Sequence, residues 1–165
     1  MKSFLTTICA IAFSSVALAE PKITIDTKKL YAGAGFNYNR IDTSSLGSSD
    51  GDATGVQVFT GYEMGNRNGF DIAAELGVIQ SGELYEGSNE DADGFWASAL
   101  ANKGLPEIDS RLSAIARIGY GIGGDDGLFM GFGAQFKIHP QAFVRGEYLN
   151  KDLSQSFQVN AAYQF

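Results

Sequence analysis

Few residues in this chain could perform acid–base or nucleophilic chemistry, because its 165 residues include one histidine and one cysteine. His139 lies in His139-Pro140-Gln141, which has the composition of a short turn. Cys9 lies in an apolar N-terminal run, where it acts as a small hydrophobic residue. We therefore expect no catalytic residues, no bound cofactor and no metal centre.

Two kinds of short motif resemble ligand-binding loops. Residues 119–124 match GxGxxG, but a dinucleotide site needs a helix after the glycines. Here an acidic turn and another alternating segment follow, so we interpret these glycines as interior packing and a hairpin. Residues 89–94 and 50–55 resemble the start of a calcium loop, yet Leu100 and Gly61 occupy the position that requires glutamate. Both segments are interpreted as solvated loops.

The remaining candidate group consists of charged residues on the polar faces of alternating segments: Glu75, Arg117, Lys137, Arg145 and Glu147. Buried ions must be paired, or they are costly. If the polar faces enclose an interior, these two acids and three bases can neutralise one another and fill it. We expect a structural network, with a narrow ion path as the alternative, and the sequence does not decide which pairs form.

The elements that would position these residues are β-strands. From residue 30 onward, segments of about ten residues alternate between apolar and polar or small side chains, with Gly, Asp, Asn and Ser between them. Eight such segments can be counted, two of them less regular, at about 55–63 and 94–102. The last is the clearest, with one face formed by Phe157, Val159, Ala161, Tyr163 and Phe165.

The links between the segments differ in length. The links at 42–54 and 81–93 are long and polar, whereas those at 65–69, 103–107 and 139–141 are short. This alternation is typical of transmembrane barrels. An eight-stranded interior has room only for side chains, which suits the small and amide-bearing faces. The sequence predicts an all-β, eight-stranded antiparallel up-and-down transmembrane β-barrel; the alternative is a soluble periplasmic barrel with a lipid-like ligand.

The N-terminus has the pattern of a secretory signal peptide over residues 1–19. Lys2 supplies the positive charge, and an apolar run follows from Phe4 to Leu18. Ala17 and Ala19 place small residues at −3 and −1 of the predicted cleavage site. The mature domain, 20–165, then has no cysteine and no disulfide. Its acidic charge (−7 for the whole chain) argues against nucleic-acid binding.

Four segments carry a resemblance to a known family: Tyr31–Phe36, Phe70–Gly77, Gly131–Phe136 and Phe143–Tyr148. Together they resemble the small outer-membrane β-barrel superfamily of Gram-negative bacteria, of the OmpA/OmpX and opacity-porin kind. The resemblance covers essentially all of the mature chain. The ending with Tyr163 and Phe165 is similar to that family's C-terminal signal, which implies recognition by the barrel-assembly machinery.

These observations predict an integral outer-membrane protein, monomeric and non-catalytic, with a structural, membrane-integrity or surface-interaction role. Its expected partners are outer-membrane lipids and lipopolysaccharide. Lipid-modifying barrels use a histidine near the outer leaflet, whereas His139 is expected on the periplasmic side. The alternatives are a narrow porin, and an adhesin or receptor that acts through loops 42–54 and 81–93. Acids in the loops could also hold divalent cations that bridge to lipopolysaccharide phosphates.

Overall fold

The computed structural model describes residues 25–41, 51–81, 94–123, 127–151 and 154–165. The predicted signal peptide with Ala17 and Ala19, and most of the two acidic loops, lie outside these ranges. A short 3-10 turn, Thr27–Lys29, precedes the first strand. Eight strands follow: β1 (Leu30–Ile41), β2 (Gly51–Arg67), β3 (Phe70–Ser81), β4 (Gly94–Gly104), β5 (Leu112–Ile122), β6 (Gly127–His139), β7 (Ala142–Lys151) and β8 (Ser154–Gln164).

Each strand pairs antiparallel with its neighbours in sequence, and β8 pairs with β1 to close the barrel. If the cross-strand partners are followed from Leu30 through all eight strands, the row of residues does not return to Leu30. The row ends at Arg40, ten residues further along β1, through Tyr62, Ala74, Ala99, Ile118, Met130, Asn150 and Gln155. This displacement requires the strands to tilt by about 40° from the barrel axis. A row of paired residues therefore climbs along the axis as it crosses the strands.

The two faces of the strands have opposite character. Large apolar side chains point outward, and Phe36, Leu76, Phe132 and Val159 are each 62 to 72% exposed. Buried polar side chains fill the inward positions, among them glutamate, arginine, asparagine and glutamine. A water-soluble barrel would have the reverse distribution. The predicted transmembrane barrel, with its apolar faces outward, is confirmed.

The turns at one end are short and locally specified. Asn68 and Gly69 join β2 to β3, and both have positive φ, 52° and 84°. Asn-Gly favours this conformation because glycine has no Cβ and asparagine tolerates it. In the turn between β4 and β5, Arg111 lies 3.1 Å from Asp109. Hydrogen bonds from Arg111 lower the pKa of the Asp109 carboxyl.

The sequence predicted too short a second strand. β2 extends over Gly51–Arg67 instead of about 55–63. At its start, residues 51–54, which the sequence assigned to a loop, pair with the end of β1. At its end, Gly65 lies within the strand instead of starting a turn. The register shifts between Glu63 and Gly65, where Gly65 has a φ of 125°. A glycine at a β-bulge absorbs one extra residue while the ladder continues. Among the described residues, no helix is long and apolar enough to cross a membrane.

Candidate functional site

The barrel interior holds a cluster of four charged residues: Glu75 on β3, Arg117 on β5, and Arg145 and Glu147 on β7. Arg117 Nη2 lies 2.6 Å from Glu75 Oε2, and Arg117 Nε lies 2.8 Å from Glu147 Oε2. Arg145 Nη1 lies 2.8 Å from Glu75 Oε1 and 3.6 Å from Glu147 Oε1. Each guanidinium thus contacts both carboxylates, and the four charges balance.

Neutral groups add hydrogen bonds to this charge cluster, whereas Glu75 Oε2, Arg117 Nε and Glu147 Oε2 have ion-pair contacts only within the described ranges. The Tyr31 hydroxyl donates to Glu75 Oε1 at 2.5 Å, and Asn160 Nδ2 donates to Glu147 Oε1 at 3.2 Å. Arg145 donates from Nε and Nη2 to Gln135 Oε1 at 3.4 and 3.3 Å. Buried charges are tolerated when their remaining donors and acceptors are also satisfied. The four side chains are at most 2% exposed, which indicates that water does not reach them.

Aromatic rings enclose the charge cluster. The Arg117 guanidinium lies over Trp96, 5.2 Å from the ring centroid. Arg145 lies 5.2 Å from the centroid of Phe143 and 5.8 Å from that of Phe59. Guanidinium groups are attracted to the negative faces of aromatic rings, more strongly where water is excluded. The rings therefore stabilise the arginines and fill the remaining space.

Sequence reasoning missed these inward aromatics, because it expected polar and small residues inside. For several of them the signal lies in the register, because the large inward side chain lies against a glycine of a neighbouring strand. Trp96 pairs with Gly77, and a Cβ on Gly77 would overlap the indole ring. The same relationship holds for Tyr31 with Gly61, Phe59 with Gly33, Phe129 with Gly119 and Leu149 with Gly131.

Lys137 lies apart from the other four charged residues that the sequence grouped with it. Its side chain is exposed near the end of β6, and none of the ion pairs in the described ranges includes it. Alternation gives it an inward register, opposite Phe143, but beyond the level of the charge cluster. Period-two alternation predicts the face of the sheet, whereas depth within the barrel depends on the tilt.

The other candidate residues lie at the end that carries the short turns. His139 is exposed at the last position of β6, and the Gln141 backbone N–H donates to its Nδ1 at 3.4 Å. The rings of Tyr163 and Phe165 pack edge to face, 5.8 Å apart. The Phe165 N–H donates to the Leu30 carbonyl at 3.0 Å, which ties the final residue to β1.

A second polar layer in the interior consists of uncharged groups. Gln57 Nε2 donates to Gln158 Oε1 and to Asn160 Oδ1, both at 2.7 Å. Asn37 on β1 and Ser156 on β8 are also buried, with 3% and no exposure respectively, but their side-chain polar atoms have no hydrogen-bond partner among the described residues. Within the part of the chain that is described, no group of three or more His, Cys, Asp or Glu side chains is placed to hold a metal ion. The arrangement fills this level of the barrel with polar side chains, of which Gln57, Gln158 and Asn160 are joined by hydrogen bonds.

Comparisons with known proteins agree with this architecture. A family model for the outer membrane protein beta-barrel domain matches residues 5–165. Neisserial surface protein A is 15% identical over 83% of this chain and 97% of its own, with a TM-score of 0.55. The attachment invasion locus protein Ail of Yersinia pestis is 17% identical over 82% of this chain and 97% of its own, with a TM-score of 0.53. A de novo designed transmembrane β-barrel is 14% identical over 82% of this chain and 94% of its own, with a TM-score of 0.58.

At such identities the solved structures show a shared fold, and no curated protein matches this chain significantly in sequence. The family model covers nearly the whole chain, and its description agrees with the closed barrel and its apolar outer face. The chain belongs to the family of outer-membrane β-barrel domain proteins.

Proposed function

We propose that this protein is a non-catalytic structural barrel of the outer membrane, whose lumen is closed by the charge cluster. One observation carries the proposal: Glu75, Arg117, Arg145 and Glu147 join β3, β5 and β7 through the interior, with every side chain at most 2% exposed. An ion or solute that entered would have to displace pairs separated by 2.6 to 2.8 Å.

The free-energy cost of separating the buried ion pairs favours a permanently closed lumen over an open route for ions. Removing one partner from a buried ion pair costs about 3–5 kcal/mol, because the remaining charge stays buried without compensation. Here each arginine contacts two carboxylates, so a transient opening would break several contacts at once. The aromatic rings around the arginines leave little space for water to replace those contacts.

The same geometry supports a non-catalytic role. Glu75 and Glu147 are the only carboxylates near one another in the described interior, and both are paired with arginines. A general acid or base must come within hydrogen-bond reach of its substrate. The exposed His139 lies at the end with the short turns, and no described acid contacts its side chain.

Conductance measurements in planar bilayers test the closed lumen. They use purified, folded protein, identified by the change in its SDS-gel mobility on boiling. We expect no steady conductance from the wild type, and conductance from the double variant Glu75→Ala/Arg145→Ala, which removes one acid and one base. The matched control is Asp109→Ala/Arg111→Ala, which removes an ion pair in an exposed turn. Steady wild-type conductance that Arg145→Ala or Glu147→Ala alters would support the narrow-porin alternative and refute the closed lumen.

A surface-interaction role is favoured by the distribution of charge. Of the 19 acids, eight lie in segments 42–54 and 81–93, a density suited to a cationic partner or bridging divalent cations. Deleting residues 42–50 or 83–93, which together contain seven of these eight acids, should abolish such binding and leave the heat-dependent gel mobility of the barrel intact. Binding that survives both deletions would refute the role of these loops.

A further inference from the structure

An open apolar groove of about 600 Å³ crosses the lipid-facing surface of the barrel. Its walls are two neighbouring rows of outward side chains. One row runs from Leu30 on β1 to Ile118 on β5, and the other runs from Thr60 on β2 to Leu128 on β6. The backbone of the row between them, which includes Gly61 and Gly119, forms the floor.

The groove exists because its central outward positions are small. Ala74, Ala97 and Ala99 are exposed on adjacent strands, and bulky side chains flank them on both sides, including Tyr62 and Tyr120. Exposed alanines also occur elsewhere on the outer face, for example Ala114 and Ala134, so the depth here depends on the bulky residues that border the three alanines. The lining is almost entirely apolar, so its occupant must offer hydrocarbon.

The direction of the groove fits the depth of one membrane leaflet. Each row follows paired residues across four strand spacings of about 4.8 Å, a length of about 19 Å. Because the strands tilt by about 40°, such a row rises about 12 Å along the barrel axis. The hydrocarbon core of a bilayer is about 30 Å thick, so this rise fits within one leaflet of about 15 Å.

The lower end of the groove carries positive charge. Lys28 and Lys29 immediately precede Leu30, and Lys28 is exposed. Neither lysine belongs to an ion pair within the described ranges, and the nearby Asp26 carboxylate accepts the backbone N–H of Lys28 at 3.1 Å. This end carries the short turns, which face the periplasm in outer-membrane barrels.

We propose that the groove binds one anionic phospholipid of the periplasmic leaflet, with an acyl chain between the two rows and its phosphate at Lys28 and Lys29. The apolar lining complements the chain, and the lysines complement the phosphate. The alanines provide the depth that holds one lipid in a fixed position. This inference rests on the outer-membrane family and is independent of whether the lumen is closed.

Photolabelling in liposomes tests the site. The protein is reconstituted in phosphatidylcholine with a trace of phosphatidylglycerol that carries a diazirine in its acyl chain, and labelled peptides are mapped by mass spectrometry. We expect labelling to concentrate on β3 and β4 relative to the outward faces of β7 and β8. The variant Ala97→Leu/Ala99→Leu, which fills the groove, should abolish this excess. Ala134→Leu, at an exposed position on β6 outside the groove, should leave it unchanged.

The charged end is tested separately. Lys28→Gln and Lys29→Gln should each lower labelling of the groove by about fivefold, the effect of one cation at an anionic headgroup. Lys137→Gln, an exposed lysine on β6 at the same end of the barrel, is the control. Uniform labelling around the barrel, or an excess that the alanine substitutions leave intact, would refute the proposal. Protein–protein cross-links through β4 in place of lipid labelling would also refute it, because they would identify a second copy as the occupant.

Discussion

Arg117 Nη2 lies 2.6 Å from Glu75 Oε2, although the two residues belong to β5 and β3, which are not neighbouring strands. The intervening strand β4 presents the small side chain of Ser98 at this level, and Arg117 Nη1 lies 3.5 Å from its hydroxyl. The contact therefore passes over β4 inside the barrel. The contact joins β3 and β5, which share no backbone hydrogen bonds, so it opposes separation of these strands of the barrel.

Glu75→Gln should lower the free energy of unfolding by about 3–5 kcal/mol, because both arginines lose a buried carboxylate partner. Urea unfolding in detergent micelles, followed by Trp96 fluorescence, measures the change. Glu107→Gln, in an exposed turn, is the control and should change stability little. A loss no larger than that of the control would show that Glu75 is not held as a buried ion.

Tyr31→Phe should destabilise the barrel by about 1.5–3 kcal/mol, the contribution of a hydrogen bond to a charged group. The Tyr31 hydroxyl donates to Glu75 Oε1, and the ring is 2% exposed. The comparison is Tyr120→Phe, at a ring that is 54% exposed on the outer face. Equal unfolding midpoints for the two variants would contradict the assigned contact.

Gly77→Ala should destabilise the barrel by about 1–3 kcal/mol, the usual cost of overpacking an interior. The new methyl would overlap the Trp96 indole, whose side chain is buried. Gly146→Ala offers a matched control on β7, since no atom lies within 4 Å of the position of its Cβ. Fluorescence of the single tryptophan should shift in Gly77→Ala alone, and an unshifted spectrum with full stability would show that the ring can move.

Phe165→Ala should reduce the amount of heat-modifiable protein in the outer membrane while changing the stability of refolded protein little. The Phe165 ring is 53% exposed and packs on Tyr163, which leaves it available to the assembly machinery. Quantitative gels of boiled and unboiled membranes give the assembled fraction. Phe132→Ala, at an exposed outward ring, is the control. Similar losses in both variants would remove the assembly role proposed for the final aromatic.

The sequence alone determined the number of strands and the faces of the six regular ones, but it assigned no faces to the second and fourth strands and predicted the second too short. A side chain's face repeats every two residues along a strand, so it can be deduced locally. The same two-residue repeat allowed the sequence to predict that the side chains of Glu75, Arg117, Arg145 and Glu147 point into the barrel. The outward apolar positions, from which the transmembrane barrel was inferred, needed no knowledge of pairing either.

Only the tertiary structure decided which inward residues meet. Whether a charge lies at the level of the cluster depends on the ten-residue displacement around the barrel, and that displacement places Lys137 at the exposed end. Two of the aromatics that enclose the arginines escaped prediction because each requires a glycine on another strand, as Trp96 requires Gly77 and Phe59 requires Gly33. These relationships depend on register and tilt, which are properties of the closed sheet and not of any single strand.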